Sequence, residues 1–158
     1  MPPSGQAFRV LDGIPTEVLL QTYADRTLVL VTQLGKVGNL IQATIPPTAP
    51  LLPAPPPNPL QPNVTPLPVP PTSIQLTPLL GNAPSDRLHT LYSLYASQIA
   101  TVLWAEEAGN LLQGDRRGVV VGIALHKTAE TEDDGLTEHE REVFHGVMDM
   151  VRDLLRRQ

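Results

Sequence analysis

The sequence contains no cysteine. Disulfide frameworks, thiol catalysis and cysteine-type zinc sites are therefore excluded together. Positive charge is also thin. The net charge is −5, and no basic run is longer than Arg116-Arg117 or Arg156-Arg157, so the electrostatic footprint of a nucleic-acid binder is missing. No stretch approaches the roughly 18 apolar residues that would cross a bilayer, and the opening "MPPSGQAFRV" has no apolar core of a secretion signal. The expectation is a soluble intracellular protein, cytoplasmic or nuclear, with neither nucleic acid nor membrane among its partners.

What the chain does have is organisation. At 158 residues it reads as one domain spanning 1–158. Runs at 8–12, 16–24, 27–34 and 39–45 are strand-like and separated by Gly13-Ile14-Pro15, Asp25-Arg26 and a Gly-Lys loop, which predicts a β-meander. Leu28-Val29-Leu30-Val31 is apolar on both faces and fits a central strand. The loop after it, Gly35-Lys36-Val37-Gly38, resembles the start of a phosphate-binding loop. However, no glycine stands five residues before Gly35, Val37 takes the hydroxyl position, and the chain continues with strand-like alternation instead of a helix. The loop reads instead as a hairpin connection between two strands.

Thirteen of the 26 residues from 46 to 71 are proline, and no charged residue lies between Lys36 and Asp86. Proline removes ladder donors and fixes φ, so 46–71 is expected to be a flexible or polyproline-like insertion. Its P-x-x-P spacings leave open a role as a ligand for SH3 or WW domains, although no basic residue is present to orient the peptide. Residues 73–80 read as a fifth strand, with Pro78 arguing for a sheet edge or a bulge.

Ser85 caps a helix over 85–108, whose apolar residues Leu88, Leu91, Tyr92, Tyr95, Ile99, Val102 and Leu103 recur at three- and four-residue steps. "GVVVGIALH", 118–126, reads as a buried strand. Thr137-x-x-Glu140 forms a capping box ahead of a last helix over 138–157. The fold class expected is α+β: a mostly antiparallel sheet with two main helices on one side, interrupted by the long proline-rich loop.

Sites of chemistry are hard to find. His139-Glu140-Arg141-Glu142-Val143 starts like the helical zinc motif, yet valine stands where the second histidine belongs, and His145 lies too far round the helix to share a metal with His139. The acids of 130–142 miss the register of a calcium loop. No G-x-S-x-G elbow surrounds Ser85, Ser93 or Ser97. No catalytic, cofactor or metal residue is assigned, and the chain is read as a non-enzyme. The lone Trp104 lies about 150° from the centre of its helix's apolar stripe, beside small Ser97, Ala100 and Thr101. Trp104, Thr101 and Ser97 are thus a candidate partner-binding surface, and packing of the ring beneath the last helix is the alternative.

Four stretches in order, "GIPTEV", "VTQLGKVGNL", "EAGN" and residues 119–127, resemble the proteasome assembly chaperone 3 family. That resemblance implies a small non-catalytic chaperone that promotes α-ring assembly of the 20S core particle. It would bind α-type subunits as a dimer, with a proteasome assembly chaperone 4-like partner or with itself, and would need no cofactor. Two other readings compete: a small-molecule or metal-dependent enzyme using the acidic segment 130–142, and a proline-rich scaffold for SH3 or WW partners.

Overall fold

A computed structural model describes residues 4–33, 35–36, 38–52, 54–62, 66–108, 116–126 and 135–157. Eight elements follow one another: β1 (Ser4–Leu11), β2 (Ile14–Thr22), β3 (Arg26–Thr32), β4 (Asn39–Thr44), β5 (Gln75–Leu80), α1 (Asp86–Ala108), β6 (Gly118–Ala124) and α2 (Glu138–Arg156). The strands form a six-stranded sheet in the order β1-β2-β3-β6-β4-β5. Only β3 and β6 run parallel among these neighbours; the other pairs are antiparallel. The expected α+β architecture is therefore present.

One sequence expectation needs correction. The loop around Gly35 does not close a hairpin, because β3 and β4 are not neighbours: β6 lies between them. Two of the loop's residues, Leu34 and Val37, fall outside the described residues. A strand apolar on both faces, such as β3, needs a ladder on each side, and the one that fills its second side is β6, itself buried from Val119 to Leu125. Gln33 fastens this junction. Its backbone N–H donates to Ala124 O at 2.9 Å, its amide donates to Thr16 Oγ1 at 3.1 Å, and its carbonyl oxygen Oε1 accepts from the His126 N–H at 3.0 Å. The polar residue inside the "VTQLGK" stretch thus ties β3 to both β2 and β6.

Alternation along the strands separates two sheet faces. Thr16, Val18, Leu20, Thr27, Val29, Val31, Ile41, Ala43, Val119, Val121 and Ile123 are buried beneath the helices. Of the helices, α2 lies over β1 and β2, and α1 over β4 and β6. At its start, α1 has the Ser85 cap, whose Oγ accepts from the Leu88 N–H at 3.2 Å. The expected capping box opens α2, with Thr137 and Glu140 each accepting from the other's backbone N–H. Gly146 lets α2 approach the sheet closely, since a Cβ there would meet Leu11 Cδ2 at 2.5 Å.

The two helix N-termini are joined by an ion pair. Arg87 of α1 donates to the Glu140 carboxylate, and Arg87 also donates to Gly135 O at 3.1 Å. Burial alone would push the Glu140 carboxyl up, but the hydrogen bonds from Arg87 and Thr137 more than offset it and hold the group below the usual carboxylate range. A carboxyl lowered in the folded state contributes stability above its unfolded pKa, and that contribution is lost as the pH falls through the folded value. Glu140→Gln keeps the cap's geometry and removes the charge. The variant is expected to be about 2–4 kcal/mol less stable than the parent at pH 7, with the gap narrowing below about pH 4. Urea unfolding across pH 3–7 measures this.

The proline-rich segment joins two directly opposed residues, Thr44 and Gln75. Its described residues are tied to the body at several places. Arg116 donates to Pro46 O at 3.1 Å, Arg152 of α2 donates to Pro66 O at 2.8 Å, and buried Gln98 of α1 donates to Pro68 O at 2.8 Å. Ala49 is buried, and Leu51 and Leu67 pack against the core. Because the ends already face one another, a short turn can replace residues 46–71 without spanning a gap. Such a variant is expected to keep its circular-dichroism spectrum and to lose about 2–4 kcal/mol, the worth of two or so buried apolar side chains, when unfolding is followed in urea.

Candidate partner-binding face

Trp104 is not the exposed anchor that its helical angle predicts. The ring is 2% exposed, Thr101 1%, and Ser97 is half-buried. Trp104 Nε1 donates to Arg117 O at 2.8 Å, which pins the end of α1 to the residue before β6. Thr101 Oγ1 is spent on Ser97 O at 2.7 Å. The physical reason is that α1 is not a one-faced helix. Every residue from 98 to 104 is buried, because the sheet lies on one side while α2 and the anchored proline segment cover others. An angle measured from one apolar stripe therefore gives no measure of exposure. Trp104→Ala is expected to cost about 3–5 kcal/mol of stability, the usual penalty for emptying a large aromatic site, with the self-association of the folded protein unchanged. Equilibrium unfolding and analytical ultracentrifugation on the one sample separate the two effects.

The surface left free is the second face of the sheet. No helix covers it among the described residues, and its side chains follow from the register. One row runs across all six strands as Gln6, Leu19, Leu30, Gly122, Leu40 and Leu80. The row on one side is Ser4, Gln21, Leu28, Val120, Gln42 and Thr77; on the other side stand Phe8, Glu17, Thr32 and Ala124. The middle of the face is thus leucine and valine around a glycine that leaves a shallow dip. Its margins are glutamine, serine and threonine, and Glu17 is the one charged residue in these three rows. Phe8 is 72% exposed and Leu80 62%; the central Leu19, Leu28, Leu30 and Leu40 are half-buried, and Val120, Gly122 and Ala124 of β6 are buried. A contiguous apolar centre with a polar rim is the anatomy of a protein interface.

Other sequence candidates come out as follows. Lys36 is exposed, and its carbonyl accepts from Thr32 Oγ1 at 2.8 Å; the chain then enters β4, so no helix N-terminus stands ready for a phosphate. His139 pairs with Asp12, Nδ1 to Oδ1 at 2.9 Å, while Glu140 is taken by Arg87 and the cap. Of the acidic segment 130–142, residues 130–134 lie outside the described residues, as do Gly109, Asn110 and Lys127 of the motifs. The sheet face escaped sequence reasoning, although the half-polar alternation of 16–24 and the two-sided apolarity of 28–31 carried its signal.

A stretch of 44 residues in this chain is 43% identical to proteasome assembly chaperone 3 of Nematostella vectensis. The chain resembles a proteasome assembly chaperone. The match takes in 28% of this chain and 33% of that protein, so it spans about a third of the relative's length. Among solved structures, a chain from the crystal structure of a novel chaperone complex for yeast 20S proteasome assembly aligns over 96% of this chain and 98% of its own, with a TM-score of 0.49 at 9% identity. No family model matches. Among the described residues, no helix is long and apolar enough to cross a membrane.

Proposed function

We propose that the chain is a non-catalytic chaperone of 20S proteasome assembly that acts as a dimer, binding α-type subunits while the α-ring is built. The observation that carries the dimer is the open sheet face with its leucine row. Two such faces are complementary to each other: both are twisted sheets, apolar at the centre and nearly uncharged, and sheets stacked face to face interdigitate at about 10 Å. The occupant is therefore a companion chain of the same fold, a proteasome assembly chaperone 4-like partner, whose place a second copy takes when the chain is alone. The partial likeness to proteasome assembly chaperone 3 supports the proteasomal context. Cytoplasmic or nuclear work follows from this reading, and neither nucleotide nor cofactor enters it.

With the sheet faces occupied, the helices and the sheet edges remain available to an α-type subunit. Leu30→Glu places a charge at the centre of the apolar row, where it would have to be desolvated on pairing. The dimer dissociation constant is expected to rise at least about 100-fold, with the monomer still folded by circular dichroism. Native mass spectrometry of the chain with the companion and separately prepared α-type subunits reads both steps. A dimer that survives Leu30→Glu unchanged overturns the sheet-face reading, and failure to capture any α-type subunit overturns the chaperone reading.

A further inference from the structure

Away from the sheet face, the fold brings together three side chains that the sequence scatters. Asp12 sits in the β1–β2 turn at φ 50°, the sole non-glycine residue in the left-handed region among the described residues. His139 and Glu142 stand three positions apart in the first turns of α2, so they share one face of the helix. One ligand atom from each of the three lies within 4.8 Å of the others. The donor set is mixed, one imidazole nitrogen and two carboxylates from two separate elements, and its two carboxylates face no cation other than the imidazole among the described ion pairs. A second feature adjoins it. A cavity of about 30 Å³ lies beside the cluster; Asp12 and His139 reach its wall, which is otherwise mainly apolar, with Ile14, Leu91, Leu125 and Val143.

We propose that Asp12, His139 and Glu142 form a binding site for a divalent transition-metal ion of the zinc class, with solvent water on the exposed side completing the coordination. Zinc takes nitrogen and oxygen donors at about 2.0–2.2 Å in a tetrahedron, which sets its donors about 3.3 Å apart. The 2.9 Å between His139 Nδ1 and Asp12 Oδ1 must widen slightly and the Glu142 carboxylate must swing in. His139 and Glu142 are exposed, so both can move. Two carboxylates and a neutral imidazole neutralise a dication, and the imidazole disfavours magnesium and calcium, which prefer oxygen donors throughout. Glu140 is not a ligand, being held by Arg87 and the capping box. The bound ion would clamp the β1–β2 turn to the start of α2, two segments separated by 127 residues. The proposal is independent of the chaperone reading, because it concerns the ion and not the sheet face.

The test is calorimetric titration of the full-length, chelator-treated protein with Zn²⁺ at pH 8, where the proton that Asp12 helps to hold on His139 competes least. One ion per chain is expected, with a rise in the unfolding temperature on adding Zn²⁺ and none on adding equimolar Mg²⁺. Asp12→Asn, His139→Gln and Glu142→Gln should each weaken binding at least about tenfold and abolish the thermal shift. His145→Gln, on the same helix but outside the cluster, should bind as the parent does. Co²⁺ in place of Zn²⁺ should give visible d–d absorption that the three variants lack. No heat at 100-fold excess Zn²⁺, on the order of a millimolar ion, or equal binding by parent and all three variants, overturns the site.

Discussion

The insertion of β6 between β3 and β4 is the constraint on which the rest of the molecule depends. Its parallel ladder to β3 and antiparallel ladder to β4 join what would otherwise be a three-stranded and a two-stranded piece. A two-stranded piece is at best marginal in water by itself, and β6 converts both into one twisted platform. The platform then dictates where the helices go. Each helix covers half of it, α2 over β1 and β2 and α1 over β4 and β6, and the ion pair between Arg87 and Glu140 joins them at their N-terminal ends.

The two sides of this platform are treated unequally. On one side the structure is three layers deep: sheet, helices and the anchored proline segment, whose carbonyls are bonded by Arg116, Gln98 and Arg152. On the other side the sheet has no cover among the described residues. Burial of the first side explains why α1 is apolar or small nearly all round. Exposure of the second explains why leucines alternate with glutamine, threonine and glutamate. The asymmetry connects packing to recognition, since the side with no intramolecular cover among the described residues is the one suited to an intermolecular partner.

Local signals in the sequence were dependable here because they report local physics. Thr137 and Glu140 announce a helix start through bonds made within four residues, and α2 begins where they stand. Pro78 announces an edge strand because its missing donor bars a central one, and β5 is at the edge. The misreadings share a different cause. Pairing of β3 with β6 joins residues 92 positions apart, and no turn chemistry near Gly35 encodes it. The burial of Trp104 depends on Arg117 and on layers supplied by distant segments, so an angle within α1 could not predict it. The meeting of Asp12 with His139 is likewise invisible until β1 and α2 are packed together. The alternation that builds the open sheet face was present throughout, but which face the helices would choose was settled only by the fold.

The position of β6 also imposes an order on folding. The sheet cannot close until residues 118–124 are available, and they follow three-quarters of the chain. During synthesis the first three strands and the β4–β5 pair must wait as separate pieces with apolar backs unshielded, the condition under which nascent chains associate wrongly. Once β6 docks, contacts of long sequence separation form together, which makes closure slow to start and cooperative when it comes. A truncation that removes β6 would therefore leave no smaller version of this fold, only its unfinished halves.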